Sequence, residues 1–155
     1  MVPGFDLAFH GSEPLLLLRL LFATLVGAAI GWNRFRAGKP AGVGTHALVA
    51  LGSAFFVAIP FLTGSLDALT RVIPGVAAGI GFLGAGEIFR DTRGGSRVHG
   101  LTSAAALWAT AALGIITVCG SVVLVAAATL LVLLVLVIAP RCERRFLSRV
   151  EEKPR

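Results

Sequence analysis

Glu87 and Arg90 stand three residues apart near the end of a long apolar stretch. That spacing puts a carboxylate and a guanidinium on one face of a helix. A carboxylate at membrane depth is costly and usually has a reason. The pair therefore has three readings: a neutralised ion pair in a packing seam, an ion or proton site inside a bundle, or part of a face that receives a partner helix. His46 follows Thr45 at the start of one apolar stretch, and His99 precedes Thr102 at the start of another. Imidazole titrates near a pKa of about 6.5, so either histidine can serve as a packing residue or as a pH sensor. With Glu87 they can form a small polar cluster.

Catalytic chemistry finds no foothold. There is no Ser/His/Asp arrangement and no metal-ligand spacing, so neither an enzyme nor a resident cofactor is expected. Glu87 is the sole candidate metal ligand. One carboxylate inside the spans cannot build the oxygen shell a divalent cation needs within a monomer. The glycines of GIGFLGAG match a dinucleotide loop in letters, but no strand precedes them.

Five long apolar stretches must position these groups. Hydrophobic residues make up 56% of the 155 residues and charged residues 14%, where a soluble domain carries about 25% charged. Spans are expected near 14–32, 45–63, 71–90, 101–119 and 121–139, each roughly 28–30 Å of helix. The leader MVPGFDLAFHGSE carries Asp6 and Glu13 and no basic residue, so the first stretch reads as a retained span. Of 14 Lys and Arg residues, 12 lie in 34–39, 90–97 and 141–155. Positive charge after every second stretch sets an all-α bundle of five transmembrane helices with the N-terminus out and the C-terminus in. Residues 1–13 are then a periplasmic tail, 14–139 the membrane domain and 140–155 a basic cytoplasmic tail. The net charge of +6 is divided among these loops and forms no nucleic-acid-binding face. Anionic lipid headgroups are the expected partners, together with another membrane protein or a second copy of the chain.

Small residues recur at four-residue spacing: Ala23, Gly27 and Gly31; Ala50, Ala54 and Ala58; Gly75, Gly79 and then Gly86. Such stripes let membrane helices approach closely. In span three, Arg71, Gly75, Gly79, Phe82, Gly86 and Arg90 share about a third of the helix circumference, which makes a glycine groove with an arginine near each end. Arg19 must face the bundle or snorkel outward. Pro140 is expected to close span five. Beyond it, Phe146, Leu147 and Val150 fit a short interfacial helix or a solvated end. Cys119 and Cys142 fall at opposite ends of one span, too far apart to pair.

GKPAGVGTHALVALGSAFF at 38–56, Arg71 eight residues before GIGFLGAG at 79–86, and GLTSAAALWATAALG at 100–114 occur in one order. Together they resemble the N-terminal membrane domain of the MgtC/SapB family, over roughly residues 20–138. The resemblance implies a multi-pass bacterial inner-membrane protein linked to magnesium homeostasis and to stress adaptation at low magnesium. It implies a regulator of other membrane proteins or, alternatively, an oligomeric transporter or channel for Mg2+ or another ion. Many members continue into a soluble cytoplasmic domain, whereas this sequence stops at Arg155. Asn33 stands where the family shows Glu, Gly44 and His99 where it shows Arg, and Glu87 where it is apolar. The aspartate usual beside Arg71 is displaced to Asp67.

Overall fold

The structure is a computed structural model and describes residues 13–91 and 97–151, with side chains described over 14–89 and 98–142. Residues 1–12 of the acidic leader, Arg93, Gly94, Gly95, Lys153 and Arg155 lie outside the described residues. So do the side chains of Arg90, Arg97, Phe146, Leu147 and Val150.

Among the described residues, five helices are long and apolar enough to cross a membrane. They are α1 (Glu13–Arg36), α2 (Val43–Leu62), α3 (Leu66–Glu87), α4 (Leu101–Cys119) and α5 (Val122–Glu151). Between α3 and α4, β1 (Phe89–Asp91) pairs antiparallel with β2 (Arg97–His99), with Arg90 opposite Val98. Helix α4 packs against all four other helices and forms the centre of the bundle. Helix α5 lies at the edge, with Val123 and Leu131 turned outward, as its bulky and nearly featureless sequence suggests.

The helix ends follow from local chemistry. Helix α1 runs to Arg36, past the expected end at 32, because its stop is a Schellman motif. Gly38 takes a left-handed φ of +67°, its N–H bonds to the Phe35 carbonyl, and the Lys39 N–H bonds back to the Arg34 carbonyl. Helix α2 closes in the same way at Gly64, with the Ser65 N–H on the Pro60 carbonyl. Ser65 then caps α3, its Oγ accepting from the Ala68 N–H at 3.1 Å. This cap starts α3 at Leu66 rather than at 71, so Arg71 stands inside the helix instead of at its start. Helix α3 ends at Glu87 rather than at 90, because Ile88 turns extended into the hairpin. The i,i+3 helical geometry expected of Glu87 and Arg90 is therefore absent.

Pro140 does not end α5, whose backbone stays helical to Glu151. Proline removes one N–H donor, so the Leu136 carbonyl loses its helical partner while the helix continues. Arg141 Nη1 donates to the Val137 carbonyl at 3.0 Å.

Candidate functional site

The site grows from the closest helix contacts. On α1 the buried face runs through Ala23, Val26 and Ile30. A Cβ at Gly27 would meet Ala50 Cβ at 2.8 Å, and one at Gly31 would meet Val43 Cα at 2.6 Å. These two glycines press the last turns of α1 against the first turns of α2. The next residue on the same face is Arg34, which is 3% exposed. Facing it in the first turns of α2 is His46, which is 0% exposed.

His46 Nδ1 lies 3.0 Å from the Gly42 carbonyl oxygen. A carbonyl can only accept, so Nδ1 carries the proton and donates it. Nε2 is left without a hydrogen-bond partner, as are Nε and Nη1 of Arg34. Glu87, the half-buried last residue of α3, completes the group, and the charges of both Arg34 and Glu87 act on the His46 ring. Three helices thus bring a guanidinium, an imidazole and a carboxylate to one end of the bundle. Buried polar groups are nearly always satisfied, and an uncompensated buried charge costs several kcal/mol. The cluster has the electrostatics of a binding site for a polar or charged group.

An apolar groove of about 570 Å³ opens between α2 and α3 below this cluster. Val49, Gly52, Phe56, Gly75, Gly79 and Leu83 are among its lining residues. Gly75, Gly79 and Gly86 have open space where a Cβ would stand. These three glycines are therefore not a packing seam within the chain but a vacant face, whereas Gly84 of the same helix is buried against Ala104 of α4. The close seams lie elsewhere. A Cβ at Gly114 on α4 would run into the Ala50 backbone, which wedges Ala50 between Gly27 and Gly114.

Other residues singled out from the sequence are dispersed. Arg71 is exposed and pairs with Asp67, one turn away. Along one helix it stands about 24 Å from Glu87. Thr45 and Thr102 are exposed. His99 does not close over His46; it is exposed and stacks on Phe89 with ring centroids 5.5 Å apart. Arg19 faces the bundle, where Nη1 donates to the carbonyls of Thr117 (3.1 Å), Val118 (2.6 Å) and Gly120 (3.1 Å) at the end of α4. Among the described residues no cluster of three or more His, Cys, Asp or Glu could hold a metal ion. Arg34 was counted only as a loop charge in the sequence. Its place one turn beyond Ile30 and Gly31, and two turns beyond Gly27, is the signal that could have found it.

A sequence model described as the MgtC family matches residues 20–145. The chain belongs to the MgtC family. It is 51% identical over 116 residues to Protein SrpB of Synechococcus elongatus, covering 68% of this chain and 64% of that protein. It is 42% identical over 117 residues to Protein MgtC of Salmonella typhimurium, covering 76% of this chain and 49% of that protein. Against Protein MgtC of Brucella abortus the identity is 41% over 113 residues, covering 73% and 46%. This MgtC-family chain thus spans between about half and two thirds of the length of these relatives. No solved structure matches it. The family match takes in all of α2, α3 and α4, and so covers the Arg34–His46–Glu87 cluster and the groove. The protein is a multi-pass membrane protein of this family.

Proposed function

We propose that this chain is a non-catalytic regulator in the bacterial inner membrane that serves magnesium homeostasis by binding another membrane protein through α3. The observation that carries this reading is the vacant face of α3. Gly75, Gly79 and Gly86 leave room beside the helix, and Phe82 projects from it at 82% exposure. Small residues around one large apolar side chain suit a helix that docks against another. The charge pattern supports an orientation with the N-terminus outside and the C-terminal end of α5 in the cytoplasm. The Arg34–His46–Glu87 cluster then lies at the cytoplasmic end.

The alternative is ion transport by an oligomer. Arg34 weighs against it, because a buried guanidinium beside the sole candidate acidic ligand raises the cost of bringing in a divalent cation.

Growth of a deletion strain at low magnesium, with capture of tagged protein in mild detergent, tests the proposal. Wild type is expected to restore growth and to retain a membrane partner. Gly86→Leu fills open space, so it should fold normally yet lose both. A tagged wild-type protein that recovers nothing but itself sinks this reading. Magnesium flux into dye-loaded vesicles that Glu87→Gln abolishes would favour transport instead.

A further inference from the structure

His46 and Glu87 stand on different helices at the same end of the α2–α3 groove. On α2, Val49 lines the groove and His46 stands one turn before it. On α3, Leu83 lines the groove and Glu87 stands one turn after it. Neither group belongs to the apolar lining; each follows one of its two walls. The walls are not pressed together. Gly79 and Gly86 have open space where a Cβ would stand, and the buried residues of α3 are Leu69, Ile80 and Gly84.

His46 has one uncommitted nitrogen. Nδ1 donates to the Gly42 carbonyl, and Nε2 is buried without a partner. Solvent does not touch Nε2, so a partner for it must come from the protein. The charges that act on the ring are Arg34 of α1 and Glu87 of α3. Arg34 opposes an imidazolium and Glu87 favours one. Helix α4 has no titratable side chain from Leu101 to Val118, and Lys39 and His99 are exposed. Glu87 is half-buried, so its carboxylate meets water on one side and the interior on the other. Towards that carboxylate a neutral imidazole presents a lone pair, and two acceptors do not bond. An imidazolium presents Nε2–H, and a hydrogen bond between two charged groups is the strong kind.

From this arrangement we infer that His46 and Glu87 form a proton-operated latch between α2 and α3. In acid, Glu87 takes a proton from water and hands it to Nε2. The carboxyl O–H bond breaks, the Nε2–H bond forms, and the carboxylate left behind accepts that N–H. The new bond draws the end of α3 towards α2 and narrows the groove. At higher pH the proton leaves by the same route and the helices part. The structure shows the released state, in which Nε2 has no partner. The latch belongs to the chain alone and does not rest on the partner reading.

Nitroxide labels on Leu48→Cys and Leu83→Cys, in a background with Cys119 and Cys142 replaced by Ser, test it. Both side chains line the groove and are exposed. Dipolar coupling in the detergent-purified chain is expected to strengthen as the pH falls from about 8 to about 5, the range in which imidazole titrates. Glu87→Ala removes the acceptor at a half-buried position and should abolish that change. In the same variant the nitrogen resonances of the His46 ring should titrate about one pH unit lower, a tenfold loss of proton affinity, because the opposite charge is gone. Coupling that ignores pH overturns the inference, and so does a change that survives Glu87→Ala. A wild-type His46 ring that is still neutral at about pH 5 overturns it as well.

Discussion

His46 donates its Nδ1 proton to the Gly42 carbonyl, so its chemistry toward the cluster rests on Nε2 alone. Neutral imidazole presents a lone pair there and imidazolium presents a donor. Other single residues settle what holds the ends of the helices. Arg19 is the clearest case, because Nη1 has two N–H groups to share among three carbonyls at the end of α4. Those carbonyls have no partners within their own helix, and lipid offers none. Replacing Arg19 with Met should cost about 2 kcal/mol, the scale of a hydrogen bond to a charged donor. A lower thermal midpoint in detergent checks it, and an unchanged midpoint contradicts it. Gly100 is a second case. It caps α4 at a φ of +91°, and a Cβ there would run into the Glu87 carbonyl. Gly100→Ala should therefore destabilise by more than the ~1–2 kcal/mol of the left-handed conformation alone. Neither device was legible in the sequence. The sequence leaves Arg19 either facing the bundle or snorkelling outward, and its acceptors come from a helix about a hundred positions later.

Close contact fixes some helix faces and leaves the Gly75–Gly79–Gly86 face of α3 open. Ala50 on α2 is fully buried between Gly27 of α1 and Gly114 of α4, so the three helices meet at one point. Gly114→Val should push α2 and α4 apart and cost about 1–3 kcal/mol or more, in the range of overpacked cores. Gly75→Ala, in open space, should leave the unfolding midpoint where it is. Comparing the two variants by thermal unfolding in one detergent tests whether small residues pack or merely line a face; equal loss at both positions would reject the distinction. The periodicity of small residues in the sequence points to close approach on α1, α2 and α3 alike. It could not separate an occupied stripe from a vacant one, because the spacing is the same and the neighbour that fills it belongs to another helix. The α4 span 101–119 was legible from its apolar length and from Gly120. The early start of α3 was not read, although Ser65 and the first-turn Asp67 are ordinary start signals.

At the scale of the whole molecule, the five-helix count followed from apolar length, while the joining of Arg34, His46 and Glu87 depended on three helices meeting. The side of the membrane proposed for that end from the charge pattern has a direct chemical test. The turn after α1 carries Lys39, and the α2–α3 connection lies at the other end of the bundle beside Leu66. In a background with Cys119 and Cys142 replaced by Ser, Lys39→Cys and Leu66→Cys each place one thiol at an exposed turn. With the N-terminus outside, an impermeant maleimide should label the Leu66→Cys protein in intact cells. It should reach the Lys39→Cys protein only after permeabilisation. The opposite pattern would place the basic turns outside and invert the positive-inside assignment. It would also move the cluster to the outer face, while the α3 face proposed to dock a partner would stay within the bilayer.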